Sequence, residues 1–204
     1  MIRKVAVILL LLAVGYVVWV IALNLGGDSG PAPAPAPAPA PREAGAPSPN
    51  RPAANVKLPP TGSLVIPVAG VRAEQLVDTF DDARGEGRVH DAIDIIAPQG
   101  APVIAAAAGT VEKLFESKLG GTTIYIRRNG GQWIDYYAHL DAYAPGLAEE
   151  QKISQGQMIG SVGSTGDASP EAPHLHYAIS LMAPGEGWWQ GLAVNPYPLL
   201  KAGH

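Results

Sequence analysis

The 204-residue chain is 47% hydrophobic, carries a formal net charge of −4 and contains no cysteine. The lack of cysteine excludes a disulfide framework, a thiolate metal site, a cysteine nucleophile and a lipid-modified cysteine anchor. Residues 1–60 hold five basic and two acidic residues, against nine and sixteen in residues 61–204. So acidic a second part argues against nucleic acid as a partner.

In chain order, Arg3 and Lys4 precede an uncharged run from Val5 to Leu23 rich in Val, Leu and Ile. A helix needs roughly 20 apolar residues to cross a bilayer. A cleavable signal peptide, the alternative for residues 1–27, has a core of about 7–15 residues and a small-x-small cleavage site. Here the run is longer, and the Ala-x-Ala triplets beyond it are interrupted by proline. Residues 1–27 are therefore expected to be an N-terminal membrane anchor. With Arg3 and Lys4 before the span and Asp28 the first charge after it, the positive-inside rule makes the chain single-pass in the cytoplasmic (inner) membrane. The remainder then lies outside the cytoplasm, on the periplasmic or cell-wall side.

Residues 28–60 are a Pro/Ala-rich linker. Proline at alternate positions removes amide donors and forbids helix, leaving extended polyproline II. At about 3.1 Å per residue, the tract would act as a spacer on the order of 90 Å long.

Residues 61–204 have the size of one domain and can bury a core without disulfides. Short strands are predicted at Val103-Ile104, Gly109–Phe115, Thr122–Arg128, Trp133–His139, Gln157–Gly163 and His174–Leu181, with Asn129-Gly130-Gly131 turning a β-hairpin. Only Arg72–Thr79 and Gly146–Gln151 are compatible with helix. The fold class is mainly β, built on an antiparallel sheet.

Four of the five histidines stand in informative contexts, the exception being the terminal His204. His174 and His176 begin a predicted strand, so both imidazoles point to one face. His90 and Asp94 are four residues apart, which places them on one face in either a strand or a helix; Ile95-Ile96-Ala97-Pro98 favours a strand ending at the proline. His139 ends the second hairpin strand and has no role legible by itself. Two histidines and a carboxylate, with a fourth position left to water, are the usual composition of a catalytic zinc site. Zinc (Zn2+) then lowers the pKa of its water and polarises a carbonyl, while further histidines orient the water and move protons. No His-Glu-x-x-His helix is present, so histidine must take the role of the base.

These motifs, in this order, resemble the M23 (LytM or lysostaphin-like) zinc metallopeptidases from about Leu64 to Pro198. The resemblance is carried by His90-x-x-x-Asp94, the stretch Ala97–Val103, Tyr137-Ala138-His139-Leu140, Gly156–Gly160, Gly163-Ser164-Thr165-Gly166 and His174-Leu175-His176-Tyr177. It implies a LytM-like β-sheet domain with a groove, zinc on His90, Asp94 and His176, and catalytic roles for His139 and His174. It also implies endopeptidase cleavage of peptide bonds in peptidoglycan stems or cross-links. Two positions where the family usually has glycine hold Ala92 and Ala172; if residue 92 required positive φ, alanine would cost about 1 kcal/mol. Members that have lost ligands activate or scaffold a partner cell-wall hydrolase. No ligand is missing here, which favours an active enzyme.

Overall fold

A computed structural model describes residues 64–84 and 88–202. The anchor expected at 1–27 and the linker at 28–60 lie outside the described residues, as does His204. Among the described residues, no helix is long and apolar enough to cross a membrane.

The domain is mainly β, as its spacing of strand and turn residues predicts. Its described strands are β1 (Ala83–Arg84), β2 (Arg88–Val89), β3 (Ile93–Ile96), β4 (Pro102–Ile104), β5 (Gly109–Ser117), β6 (Gly121–Arg128), β7 (Trp133–Tyr143), β8 (Lys152–Ile153), β9 (Met158–Val162), β10 (His174–Leu181) and β11 (Leu192–Val194). Strands β1 and β2 pair only with each other. The other nine form one antiparallel sheet in the order β11-β10-β7-β6-β5-β8. Strand β3 pairs with the first half of β10, β9 extends β7 past its pairing with β10, and β4 pairs with β9.

The two stretches expected to be helix-compatible do not form α-helix. The first holds a single 3-10 turn, Ala73–Gln75, after which Leu76 is extended (ψ 138°). The second is broken into turns by left-handed backbone at Gly146 (φ 77°) and Glu150 (φ 65°). A five-residue helix, α1 (Tyr197–Lys201), opens after Pro196, whose fixed φ suits a helix start.

Alternation gives the sheet two different faces. Leu175, Tyr177 and Ile179 of β10 join Ile93, Ile95, Ile124, Ile126, Tyr137 and Leu140 in the main core. Ala178, Tyr136, Ala138, Ile134 and Tyr125 form a smaller apolar cluster on the other face, with Phe115 and Trp188 packed against it. Inside the core face, the buried Arg128 guanidinium donates from Nε to Oδ2 of Asp135 at 2.7 Å and from Nη2 to Oδ1. The Tyr177 hydroxyl donates to Asp135 Oδ1 at 2.7 Å. This network ties β6, β7 and β10 in one register.

Candidate metal centre

The histidine pair on β10 faces away from the core, and the β3–β10 ladder sets Asp94 directly opposite His176. His90 lies between β2 and β3, its ring closed off from solvent. It is followed by Asp91 in the left-handed region (φ 53°), so the strained residue is Asp91, a type that tolerates this conformation comparatively well. Ala92 is fully buried and does not have positive φ, so the glycine it replaces was not needed for conformation here.

His139 reaches the same face by an irregularity. Regular alternation would put it beside Tyr137 in the core. The β6–β7 register shifts between Thr122 and Ile124, whose partners are Leu140 and Tyr137, so Ala138 and His139 together oppose one residue. His139 itself takes φ 60°. A bulge of this kind re-aims a side chain, and the imidazole lies 5.0 Å from the His174 ring and 5.5 Å from the His176 ring, centroid to centroid.

His90, Asp94 and His176 form a group whose donor atoms all lie within 4.8 Å of one another. Nε2 of His90 is 3.0 Å from Nδ1 of His176, and Asp94 Oδ1 is 3.0 Å and 3.2 Å from these two nitrogens. At zinc–nitrogen distances of about 2.0–2.1 Å, donors of a tetrahedral site stand roughly 3.3–3.4 Å apart. The observed triangle is close to that size. Asp94 Oδ1 is buried and accepts no hydrogen bond, an arrangement that is costly unless a cation completes it. The donor set and its spacing therefore fit zinc.

Backbone carbonyls orient three of the rings. Nδ1 of His90 lies 2.9 Å from Thr79 O, Nδ1 of His139 lies 2.8 Å from Thr165 O, and Nδ1 of His174 lies 2.8 Å from Ala172 O. A carbonyl only accepts, so each Nδ1 carries the hydrogen and each Nε2 of a neutral ring keeps its lone pair for the site. Burial pushes His176 down to about 4 against the pull of Asp94, and lowers His139 as well. Burial also disfavours the Asp94 anion, but His176 and His90, as donors once protonated, outweigh it and hold the carboxyl well below the usual range. At neutral pH the site combines a carboxylate with neutral His139 and His176.

The Gly163–Gly166 motif acquires a physical reason. The Thr165 hydroxyl accepts from the Thr122 amide and donates to Leu140 O, which locks the loop that offers its carbonyl to His139. A Cβ on Gly166 (φ 76°) would sit 2.0 Å from Leu119 O, so no other residue fits this approach.

Three features were not anticipated from sequence. The Thr79 hydroxyl accepts from the Asp94 amide at 3.1 Å. Nη2 of Arg84 donates to Asp94 Oδ2 at 2.6 Å. A row of aromatic rings also leads away from the histidines: Tyr136 lies 5.9 Å from His176, Tyr125 4.6 Å from Tyr136 and Trp188 4.7 Å from Tyr125. Cross-strand pairing of Tyr125 with Tyr136 was implicit in the hairpin register; nothing local signals the Trp188 contact.

Comparison with known proteins bears on the fold and the family. The model of Peptidase family M23 matches residues 88–196. The L-Ala--D-Glu endopeptidase of Bacillus subtilis strain 168 is 39% identical over 131 residues, covering 61% of this chain and 39% of the relative. The murein hydrolase activator NlpD of Escherichia coli K12 is 29% identical over 122 residues, covering 60% of this chain and 28% of the relative. The chain thus spans well under half the length of these curated relatives. Among solved structures, the catalytic domain of the antimicrobial peptidase lysostaphin from Staphylococcus simulans superposes with a TM-score of 0.53 at 29% identity, covering 61% of this chain and 90% of that domain.

Proposed function

The chain belongs to peptidase family M23, and on that premise we propose that it is a zinc-dependent endopeptidase cleaving peptide bonds in peptidoglycan stems or cross-links. The observation that carries this reading is Asp94 Oδ1: buried, without a hydrogen bond, and facing one nitrogen each of His90 and His176. His90, Asp94 and His176 would hold the metal. When bound there, zinc supplies a more acidic water and a polarised scissile carbonyl.

The other two histidines do the proton work. Because Nδ1 of His139 and of His174 is engaged by a carbonyl, Nε2 is the atom that takes the proton from the attacking water. The same atom, once protonated, returns that proton to the leaving amine or donates to the oxyanion.

Mass analysis of muropeptides after incubation with the full chain and zinc tests the proposal. The wild type releases cleaved peptides. His139→Ala, with zinc content unchanged, loses about 10²–10⁴-fold in rate, the range of a general acid–base group. A zinc-free protein of normal fold and full activity overturns it. A second reading, a catalytically silent module that activates a partner hydrolase, is favoured by the likeness to the activator NlpD. Zinc binding without cleavage, together with stimulation of a partner amidase, would establish it instead.

We place the working site outside the cytoplasmic membrane. The apolar run Val5–Leu23 would act as anchor and the Pro/Ala tract as a tether setting the reach into the wall. Protection of the domain from external protease in spheroplasts would refute this placement.

A further inference from the structure

We propose that Arg84 is a positioning residue that confines Asp94 to ligation through a single oxygen. The inference rests on the metal site proposed above and concerns how this chain presents one of its ligands.

A carboxylate beside a cation can bind through one oxygen or chelate through both, and which it does depends on what else its second oxygen finds. In Asp94 the two oxygens have different fates. Oδ1 faces His90 and His176 and accepts no hydrogen bond. Oδ2 accepts a charge-assisted bond from Nη2 of Arg84 at 2.6 Å, among the stronger classes of hydrogen bond. An oxygen held in this way is turned from the donor triangle.

The origin of Arg84 strengthens the assignment. It ends β1, which pairs with β2 and lies outside the main sheet. The backbone flanking that ladder is tied to the first ligand, since the amides of His90 and Asp91 donate to Asp82 O and Phe80 O. Thr79, just upstream, holds the His90 ring through its carbonyl and the Asp94 amide through its hydroxyl. One segment outside the sheet thus orients both His90 and Asp94, and Arg84 is its contact with the carboxylate. The Arg84 side chain is 44% exposed and that of Asp94 17%. Solvent screening keeps such a pair from contributing much to stability, so a purely structural purpose accounts poorly for it. Orientation of a ligand by its outer partner is the better account.

The test is the visible absorption of the full-length protein loaded with cobalt(II) in place of zinc, whose bands are intense in four-coordinate sites and weaker when coordination expands. Arg84→Met frees Oδ2 to chelate, and its band is expected to weaken severalfold relative to wild type. Arg84→Lys keeps a charged N–H donor, and because Arg84 uses one contact rather than a fork, it is expected to retain the wild-type band. Arg84→Gln, polar but too short to reach Oδ2, serves if the methionine variant does not fold, and should behave like it. A wild-type spectrum in a folded Arg84→Met or Arg84→Gln variant overturns the role of Arg84 and leaves the metal site standing. A wild-type protein that takes up no cobalt overturns the metal site itself.

Discussion

Asp135 and Asp94 stand in one sheet and face opposite sides of it. Asp135, fully buried, has donors for both oxygens in Arg128 and Tyr177. Asp94 has Arg84 on Oδ2, while the buried Oδ1 looks at two ring nitrogens without a hydrogen bond. A carboxylate in a closed network can be explained as architecture. One left open among histidines has to be explained by something it binds. The sheet thus separates its two tasks by face: the core side satisfies its charges internally, and the other side holds some of them ready.

The largest effect expected from breaking this contrast is on the core side. Asp135→Ala strands the Arg128 cation in the interior, and removing one partner of a buried pair costs about 3–5 kcal/mol. Denaturant unfolding of the metal-free chain should show that loss. A variant as stable as wild type would mean that the network is not closed in the way described.

The site side should respond to acid instead. His176 has a folded-state value near 4, against an ordinary 6.5. Between these values the unfolded chain binds the extra proton and the folded one does not. Stability of the metal-free protein should therefore fall as pH drops from 6.5 towards 4, by at most on the order of 1 kcal/mol per pH unit. Asp94, held below its ordinary range, adds its loss only at still lower pH, below the unfolded carboxylate value. Thermal midpoints from pH 7 to 4 in wild type and His176→Gln would check this, the variant giving the flatter profile. Equal slopes would remove His176 as the source.

The smallest effect concerns the departure at residue 92. Since Ala92 is buried and free of positive φ, restoring glycine should lower stability by about 0.5–1 kcal/mol through chain entropy. Stabilisation by Ala92→Gly would show that the alanine is strained after all.

Much of this contrast was legible in residues. The alternation His174-Leu175-His176-Tyr177 separates site from core along β10, and the four-residue spacing of His90 and Asp94 allows both to converge on that strand. His139 was not legible in the same way: simple alternation from Tyr137 sends it into the core, and only the bulge with φ 60° returns it to the site. Bulges depend on register with a neighbouring strand, which no local pattern encodes. The same limit applies to Arg84 and Thr79, ordinary residues until the β1–β2 ladder brings them against Asp94. Gly146 and Glu150, in left-handed backbone, likewise break a stretch whose composition permitted helix.

The most direct test of the central claim is the zinc content of the full chain after equilibration with zinc and removal of the excess, compared between wild type and Asp94→Ala. The account predicts about one zinc per wild-type chain and none retained by the folded variant. Equal zinc in both, or none in the wild type, would contradict it.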